Sequence, residues 1–560
     1  MSIVVKKAKN QIVEAVEKAF KTAIEKGLLP EGEHAPVIIE VPADSAHGDY
    51  STNAAMASAR VFRMAPVKIA EIVRDCIVPD GTYIASCETA GPGFLNFRLN
   101  SDYYSDILKD ALEKKEQYGH SDIGKGQSVL VEFVSANPTG PMHIGNARGG
   151  ALGDVLSEIL IWAGYRTERE FYVNDAGNQI EKFGLSLDIR YRQIFDPSIE
   201  MPEDAYLGQD IIDHAKAFYE QYGDKYLNVP DEERKKALID FALPKNIKAL
   251  EEDLLKYRIK YDNWFRESTV HANGSVQRVL KLLKESGYTY EKDGALWFMA
   301  EKFGCDKDFV LVRSNGIPTY IVPDIAYHYN KLVERGFDRA INILGADHHG
   351  YVPRLKAALQ AIGIDPERLI VILMQMVRLV RGGEVVKASK RSGKAITLVT
   401  LLEEVPIDAA RFFFNLREAN THLDFDLDLA VENSSKNPVY YCQYAHARIC
   451  SIIKRVSARL DEIKTEPKFE LLDTPEEREL IKHIASLTEE IEFAAKNLDP
   501  SRITKYAIDL ATAFHKFYNA NRVDVEDKDL FKARLCLCIA VRDVMKNILN
   551  MMKVDAPEVM

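Results

Sequence analysis

The sequence predicts an α/β fold: a doubly wound parallel sheet of the Rossmann type in the middle of the chain, an N-terminal α+β domain and a C-terminal all-α helical domain. In the middle, apolar strand-like segments alternate with helical segments, a pattern typical of parallel sheets. A small α/β unit precedes them, and only helical periodicity follows. With 560 residues, the chain is long enough for about three to four domains.

The N-terminal unit shows strand and helix signals in a short space. A helix begins the chain, APVIIEVPAD (35–44) is a predicted strand, and a second helix lies near 52–62. In AGPGFLNFRL (90–99), an alternating segment follows a Gly-Pro-Gly turn, which predicts another strand. The polar, glycine-rich stretch 119–128 is a predicted linker.

The parallel sheet rests on four apolar segments with helices between them. They are VLVEFVS (129–135), DFVLVRS (308–314), AINILGA (340–346) and LIVILMQMVRLV (369–380). The predicted domains are residues 1–118, residues 119–430 with a mostly helical insertion at about 185–300, and residues 431–560.

Composition excludes several classes of protein. The net charge of −11 argues against indiscriminate coating of nucleic acid. No window reaches the roughly 18 apolar residues of a membrane span, and the charged N-terminal helix does not resemble a secretory leader. Seven cysteines without a C-x-x-C pair argue against a disulfide framework and a zinc knuckle. We therefore expect a cytoplasmic protein without a membrane partner.

The loop SANPTGPMHIGNARGG (135–150) lies between the first predicted sheet strand and a predicted helix. In a doubly wound sheet, ligands bind outside the carboxyl ends of the strands, close to helix N-termini. The N–H groups and the dipole of such a helix favour phosphate, and Gly145 has no Cβ to hold a nucleotide away. His143 and Asn146 can donate hydrogen bonds to phosphate. The loop matches neither a Walker A sequence nor G-x-G-x-x-G, so it predicts another type of nucleotide site.

A lysine-rich segment, Lys387-Ala388-Ser389-Lys390, follows the last predicted sheet strand. Two ammonium groups beside an anion-binding helix end can neutralise the charge on pyrophosphate as it leaves ATP. The composition of this loop is equally compatible with a solvated surface. The pairing of the two loops, rather than either alone, indicates ATP chemistry.

Both loops resemble the signatures of class I aminoacyl-tRNA synthetases. His143-Ile144-Gly145-Asn146 is similar to the HIGH signature, with Asn146 replacing the final His, and residues 387–390 are similar to the KMSKS loop, with Ala388 replacing Met. Longer segments resemble arginyl-tRNA synthetases from about residue 40 to the C-terminus. These segments are VEFVSANPTGPMHIGNARGGALGD, YVNDAGNQI, TYIVPDIAYHYNK, DAARFFF, NPVYYCQYAHARI, AGPGFLNFRL and DAPEVM.

The resemblance implies an arginine–tRNA ligase. Such an enzyme joins arginine to ATP as arginyl-adenylate and transfers it to the 2′-OH of the terminal adenosine of tRNA(Arg), releasing pyrophosphate and AMP. ATP would enter with Mg²⁺, and no zinc or organic cofactor is expected. The N-terminal domain would contact the tRNA elbow and the helical domain would read the anticodon. The implied catalytic and ATP-binding residues are His143, Gly145, Asn146, Lys387, Ser389 and Lys390.

The resemblance also implies a set of arginine-binding residues, namely Glu132, Asn137, Tyr320 and Asp324. A guanidinium presents a planar fork of donors that suits carboxylates, and lysine cannot make the same bidentate contact. Each residue also has an ordinary alternative. Glu132 is compatible with an outward-facing strand position, Asp324 with a helix N-cap, and Tyr320 with core packing.

The segment GADHHGY (345–351) would line the nucleotide and amino-acid pocket by the same resemblance, with Asp347 and His348 as its candidates. A His-His pair suggests a metal, but a third ligand at suitable spacing is missing from the sequence pattern. We therefore expect these residues to contact substrate, without assigning a ligand to either.

A basic and aromatic stretch from Lys436 to Arg459 contains five basic residues and no acidic one. Basic side chains beside aromatic rings suit single-stranded nucleic acid, although a solvated helix with a tyrosine packing face gives the same pattern. The candidates for tRNA contact are Tyr440, Tyr444, Arg448, Lys454 and Arg455.

Two alternative functions stay open on the sequence alone. A smaller nucleotidylyltransferase or a pantothenate-synthetase-like ligase shares the HIGH-type loop and the sheet, but does not need the long helical domain. A catalytically silent paralogue would keep the fold as a binding or regulatory module. We expect a monomer, because no assembly signal is apparent. That tRNA must bind before arginine is activated is a hypothesis taken from the family.

Overall fold

The computed structural model describes residues 2–386, 396–462 and 465–560. The strands in these residues form one five-stranded sheet and three three-stranded sheets. In the part of the chain that is described, no helix combines the length and the apolar character needed to cross a membrane.

The N-terminal part of the chain forms an antiparallel sheet covered by helices. Its elements are α1 (Ile3–Glu25), β1 (Tyr50–Thr52), α2 (Ala54–Ala57), α3 (Ala59–Phe62), α4 (Pro66–Cys76), β2 (Ile84–Ala90), β3 (Phe94–Leu99) and α5 (Ser101–Lys114). Strand β3 lies between β1 and β2 and is antiparallel to both. Gly91 and Gly93 have positive φ angles, which any other residue adopts with strain. The predicted strand after the Gly-Pro-Gly turn is therefore confirmed.

The strand predicted at 35–44 is wrong. In this segment only Glu40 pairs with Ser51, through backbone hydrogen bonds of 2.9 and 2.8 Å. The side chain of Ile38 is exposed rather than packed. The segment contains two prolines, which have no N–H group to offer a ladder, so the chain runs along the edge of β1 without joining the sheet.

The middle of the chain begins with the first strands of the parallel sheet and a group of helices. These elements are β4 (Ser128–Glu132), α6 (Ile144–Trp162), β5 (Arg166–Val173), α7 (Asn178–Gln193), α8 (Gln209–Tyr222), α9 (Asp231–Lys256), β6 (Asn263–Arg266), α10 (Glu267–Ala272) and α11 (Ser275–Glu285). Helices α7, α8 and α9 bury their own apolar cluster, which includes Phe183 and Phe218. They form a small helical unit between β5 and β6.

The second half of the middle region completes the sheet. Its elements are β7 (Thr289–Lys292), β8 (Ala295–Phe298), β9 (Phe309–Val312), α12 (Ile321–Tyr329), β10 (Arg339–Gly345), α13 (Val352–Ala361), β11 (Leu369–Met374), β12 (Val377–Arg381), β13 (Glu384–Val385), α14 (Leu398–Glu404), α15 (Ile407–Phe414), β14 (Leu423–Asp426) and α16 (Leu427–Val431). A π-helical turn, Asn330–Glu334, continues α12.

The main sheet has the order β11-β10-β4-β5-β6, and all of its strands are parallel. The chain builds outward from β4 to β6 on one side and returns to place β10 and β11 on the other. The topological switch point therefore lies between β4 and β10, where open α/β sheets bind ligands at the carboxyl ends of the strands. Helix α6 packs closely here, because a Cβ on Gly153 would lie 2.2 Å from Cγ of Phe133.

Four predictions about strands need correction. The segment 308–314 forms β9 in a separate antiparallel sheet with β7 and β8, because it follows a hairpin and pairs with it locally. The segment 369–380 is two strands, since the chain leaves the main sheet at Gln375 and β12 pairs with β14. Consequently β13, the strand before the lysine loop, belongs to the small sheet of β12 and β14. The predicted insertion at 185–300 also contains β6, an edge strand of the main sheet.

The C-terminal part is helical, as predicted. Its helices are α17 (Pro438–Glu462), α18 (Pro475–Asn497), α19 (Ser501–Ala520) and α20 (Lys528–Met551). An ion cluster joins this part to α6: Asp154, fully buried, accepts hydrogen bonds from Arg411 of α15 and from Lys553 after α20. The helix that carries the HIGH-like loop is thus tied to the end of the chain.

Candidate active site

The HIGH-like loop caps helix α6 at the switch point. His143 is the N-cap: its Nδ1 accepts from the N–H of Gly145 at 3.1 Å, and its own N–H donates to Oδ1 of Asn146 at 3.1 Å. Both predicted donors are therefore engaged in a capping box. Partial desolvation lowers the pKa of His143. Because Nδ1 accepts, the neutral ring carries its proton on Nε2, and this atom can donate to a phosphate.

The chain after the lysine loop returns to the HIGH-like loop. Thr397 and His143 form an antiparallel bridge, and the N–H of Leu398 donates to the carbonyl of Met142 at 2.9 Å. Lys387, Ser389 and Lys390 themselves lie outside the described residues. In the sequence, Lys390 precedes Thr397 by seven positions.

Carboxylates from three elements meet beside this loop. Glu132 ends β4, Asp324 lies in the first turn of α12, and Glu267 begins α10. Burial raises the pKa of Asp324 to about 6; the charges of Glu132 and Glu267 act in the same direction, and a hydrogen bond from Tyr351 acts against them. Asp324 is not a helix cap, since its carboxylate accepts from a side chain 27 residues away.

Glu267 is a member of the pocket that the sequence did not reveal. Burial raises its pKa to about 7, with a further contribution from the neighbouring carboxylate of Asp175 and an opposing hydrogen bond from Tyr172. Asp175 is satisfied by the N–H and the hydroxyl of Ser268, both at 2.8 Å. The sequence did contain a signal for Glu267: this acid directly follows a short aromatic segment, just as Glu132 follows an apolar segment. The predicted insertion at 185–300 contains Glu267 and therefore sets it apart from the sheet.

Glu132 is buried, with 5% of its surface exposed, so the outward-facing alternative is wrong. Its Oε1 accepts from the hydroxyl of Ser135 at 3.1 Å and its Oε2 from the ammonium of Lys331. Lys331 has no exposed surface. Because Lys331 pairs with a residue 199 positions away, its neighbours in the sequence do not indicate this pair.

The remaining arginine candidates are Tyr320 and Asn137. Tyr320 precedes Asp324 by about one helical turn and is 64% exposed, so it does not pack in the core. The side-chain amides of Asn137 and Asn174 lie 3.2 Å apart, which places Asn137 at the end of β5. An aromatic contact joins β5 to α12, because Tyr172 of β5 packs against Tyr327 of α12 with ring centroids 4.5 Å apart.

Asp347 and His348 lie in a short 3₁₀ turn, Ala346–Gly350, directly after β10. Both are exposed, and Nε2 of His348 lies 3.9 Å from Oδ2 of Asp347. The turn leads into Tyr351, which donates to Asp324. The segment therefore faces the same end of the sheet as the HIGH-like loop. In the described part of the chain, no three His, Cys, Asp or Glu side chains are grouped to hold a metal ion.

The basic and aromatic stretch forms one face of α17. Tyr440 and Tyr444 stack with centroids 6.2 Å apart, and the guanidinium of Arg448 lies 4.3 Å from the ring of Tyr518. Lys454 and Arg455 continue this face and are exposed. His446, which is part of the same sequence pattern, is instead buried and bonded to the carbonyl of Pro557 at 2.8 Å.

Family models match nearly the whole chain. A model of the arginyl-tRNA synthetase N-terminal domain matches residues 6–99, the class I tRNA synthetase (R) catalytic domain matches 107–451, and the DALR anticodon-binding domain matches 442–560. The catalytic model alone covers more than half of the 560 residues. These limits overlap the predicted domains but set the last one further along the chain.

Similar proteins carry the same description. The chain is 54% identical over 561 residues to an arginine–tRNA ligase of Caldanaerobacter subterraneus and 51% identical over 564 residues to one of Acetivibrio thermocellus, with all of each chain covered. Its fold matches that of Thermus thermophilus arginyl-tRNA synthetase with a TM-score of 0.74 at 23% identity, covering 98% of this chain and 100% of the other. The chain therefore belongs to the arginyl-tRNA synthetase family, the class I enzymes that use ATP to join arginine to tRNA.

Proposed function

We propose that the chain activates arginine in the cleft between β4 and β10 and transfers it to tRNA(Arg) in the same cleft. The observation that carries this proposal is the group of three carboxylates beside the start of α6, of which Glu132 is buried and Asp324 and Glu267 are half-buried. An acid-lined pocket next to an anion-binding helix end suits a cationic amino acid next to a nucleotide. Class I synthetases use ATP, and Mg²⁺ is expected to accompany it as part of the substrate. No zinc and no organic cofactor is proposed.

Asp324 and Glu132 are the proposed acceptors for the guanidinium of arginine, with Tyr320 beside them. Two carboxylates can engage the planar fork of a guanidinium, whereas the single ammonium of lysine leaves one of them unpaired and buried. Asn137 would hold the backbone end of the substrate. Glu267 would supply a third negative charge for a substrate that carries two cations, the guanidinium and the α-ammonium.

His143 and the start of α6 are the proposed contacts for the ATP phosphates, with Asn146 keeping the loop in its capped form. Lys387 and Lys390, together with Ser389, would contact the departing pyrophosphate. The bridge between Thr397 and His143 supports this pairing, because it anchors one end of the lysine loop on the phosphate side. Asp347 and His348 would line the nucleotide and amino-acid pocket.

The proposed chemistry needs no side-chain nucleophile. A carboxylate oxygen of arginine attacks the α-phosphorus of ATP, the bond to the bridging oxygen breaks, and pyrophosphate leaves. The 2′-OH of the terminal adenosine then attacks the carbonyl carbon of the adenylate, losing its proton, and AMP leaves. The protein contributes by holding the reactants in line and by stabilising charge on the leaving groups.

The three predicted regions would divide the work on tRNA. Residues 1–118 would contact the elbow, 119–430 would carry out the chemistry, and 431–560 would read the anticodon. On the helical region, the face of α17 formed by Tyr440, Tyr444, Arg448, Lys454 and Arg455 is the proposed contact for nucleotides. A monomer in the bacterial cytoplasm, without a membrane partner, is proposed to be the working form.

ATP–pyrophosphate exchange measured across all twenty amino acids, with total tRNA present, tests the function. We expect exchange with arginine alone, and charging of tRNA in a second assay. Exchange without tRNA charging would favour a smaller adenylating ligase, and no exchange would favour a silent binding module. Running the arginine assay with and without tRNA tests whether tRNA is required; equal rates would reject that hypothesis.

A further inference from the structure

A buried lysine lies behind the two proposed guanidinium acceptors. The ammonium of Lys331 donates to Oε2 of Glu132 and, at 3.2 Å, to Oδ1 of Asn342. It also lies 3.9 Å from the ring centroid of Tyr327, close enough for a cation–π contact. The lysine has no exposed surface and belongs to the π-helical turn Asn330–Glu334, an irregularity that is frequent at functional sites.

A chain of hydrogen bonds runs from this lysine to the helix turn of Asp324. The side-chain amide of Asn342 lies 3.0 Å from Nε2 of His328, and Nδ1 of His328 lies 2.8 Å from the backbone carbonyl of Asp324. Burial lowers the pKa of His328 to about 3, so the ring is neutral. Because a carbonyl only accepts, Nδ1 carries the proton and Nε2 accepts from Asn342. Each group in this series then donates to the next one, from Lys331 to the carbonyl of Asp324.

Glu132 is held at both of its oxygens. Lys331 binds Oε2, and the hydroxyl of Ser135 donates to Oε1 at 3.1 Å while accepting from the N–H of Tyr172 at 3.1 Å. An ionised carboxylate has about four acceptor positions, so both oxygens keep capacity for a ligand. The orientation of this carboxylate is set before any substrate enters.

We propose that Lys331 is the positioning residue of the arginine pocket: it fixes the Glu132 carboxylate directly and the Asp324 turn through Asn342 and His328. This inference rests on the proposed function, in which Glu132 and Asp324 bind the guanidinium. Lys331 has no direct contact with substrate in this scheme. It acts by keeping two acceptors from different elements, β4 and α12, in one fixed relative position.

The lysine also sets the charge of the pocket. Glu132, Asp324 and Glu267 contribute three negative charges when ionised, and Lys331 contributes one positive charge, which leaves a net charge of −2. Arginine brings two cations and one carboxylate, and its two cations match the net charge of the pocket side chains. Without Lys331, Glu132 would be a buried carboxylate with no cationic partner, which is costly in a low-dielectric site.

The test compares Lys331→Met and Lys331→Arg with a matched control, Arg335→Met. Arg335 lies four residues further on and pairs with Glu170, the buried neighbour of Glu132 on β5, but not with the pocket carboxylates. In arginine-dependent exchange with tRNA present, Lys331→Met is expected to raise the KM for arginine about tenfold or more and to change the KM for ATP less than about twofold. Lys331→Arg should recover part of the loss.

The control separates positioning from simple stability. Arg335→Met is expected to lower the melting temperature while leaving the KM for arginine within about twofold. Equal losses of stability in both variants with an unchanged KM for arginine would overturn the proposal. If Lys331→Met does not fold, Asn342→Leu breaks the link to His328 alone and should still raise the KM for arginine; an unchanged KM there would overturn the link to Asp324.

The pH profile gives a second readout. Asp324 faces Glu132, Glu267, Tyr351, Tyr172 and Lys331, and among these described groups Lys331 is the one whose positive charge lowers the pKa of Asp324. Lys331→Met should therefore move the acid limb of kcat/KM for arginine to higher pH, and Arg335→Met should not. The variant Asp324→Asn tests the proposed function itself. If it leaves the KM for arginine unchanged, the assignment of the arginine pocket fails. If Asp324→Asn raises this KM but Lys331→Met does not, only the positioning role of Lys331 is rejected.

Discussion

Thr397 pairs with His143 in an antiparallel bridge, so the residue that follows the lysine loop lies against the residue that caps helix α6. The adjacent hydrogen bond from Leu398 to the carbonyl of Met142 extends this contact. The HIGH-like loop and the segment after the lysine loop, about 250 positions apart in the sequence, therefore meet at the switch point of the sheet. This contact gives a physical reason to test the two loops as parts of one ATP site.

The first prediction concerns Lys390. Lys390→Ala should slow arginine-dependent pyrophosphate exchange roughly a hundredfold, because a charged contact to a leaving group stabilises the transition state by about 3 kcal/mol. The affinity for tRNA should stay nearly the same. Lys236→Ala, which removes an exposed lysine from the helical unit, is the control and should leave exchange unchanged. A normal exchange rate for Lys390→Ala would remove this residue from the mechanism.

The second prediction concerns the ionisation of the arginine pocket. In the proposed pocket Asp324 binds the guanidinium as the anion, and its pKa of about 6 in the free protein means that the anion is lost as the pH falls below that value. We expect kcat/KM for arginine to fall with decreasing pH through this range, about tenfold per unit well below the pKa. Asp324→Asn should raise the KM for arginine and abolish this limb. A limb that persists in the variant would assign the titration to Glu267, whose pKa is about 7.

The third prediction separates stability from binding at the same residue. A carboxyl group whose pKa is higher in the folded protein than in the unfolded chain destabilises the fold once it is ionised. The cost is absent below the unfolded value near 4 and complete above about 6. Asp324→Asn should therefore stabilise the free enzyme by about 3 kcal/mol at pH 8 and by much less at pH 4.5. Thermal unfolding at the two values checks this, and an equal gain at both would contradict it.

The sequence predicted the places of those site residues that depend on their immediate neighbours in the chain. His143 and Gly145 lie at a strand–helix junction, and Asp324 follows a proline at a helix start, so their places could be inferred from neighbouring residues. Lys331 could not be found in this way, because its role depends on residues brought together from distant strands. Glu267 has a local signal, but it lies within the segment 185–300 that the sequence predicts to be an insertion. A buried lysine and a solvated lysine have the same local sequence signature.

The errors in the fold have the same origin. Residues 309–312 are apolar enough for a central strand, yet they pair with a preceding hairpin, and pairing is a tertiary choice. The run 369–380 is divided because Arg148, fully buried in α6, donates to the carbonyl of Gln375 at 2.7 Å and to that of Glu418 at 3.0 Å. Gln375, the polar residue within this apolar run, indicated the break in the sequence. Its partner, Arg148, could not be identified from the sequence.

The fourth prediction concerns the face of α17 that contains Arg448 and Lys454. Reversing both charges, as Arg448→Glu with Lys454→Glu, should weaken tRNA binding about tenfold or more at moderate salt and reduce its salt dependence, because two phosphate contacts are lost. Lys505→Glu changes a single exposed charge on α19 and serves as the control. Unaltered tRNA affinity in the double variant would exclude this face as the tRNA contact.

The last prediction concerns the ion cluster that holds helix α6 to the end of the chain. Burial alone would raise the pKa of Asp154, but the charges of Arg411, Lys553 and Arg169 outweigh it, and the pKa is lowered. A lowered carboxyl pKa adds stability above its unfolded value that is lost as the pH falls. Asp154→Ala would leave buried cations unpaired and should cost about 3–5 kcal/mol.

The exposed pair of Asp240 and Lys236 provides the comparison, since Asp240→Ala should cost no more than about 0.5 kcal/mol. Both values follow from chemical denaturation at pH 7. Because α6 begins at His143, a loosened cluster should also lower the rate of exchange in Asp154→Asn, which keeps the shape of the side chain but not its charge. A stable and fully active Asp154→Asn would show that the cluster neither supports the fold nor holds the phosphate-side loop in place.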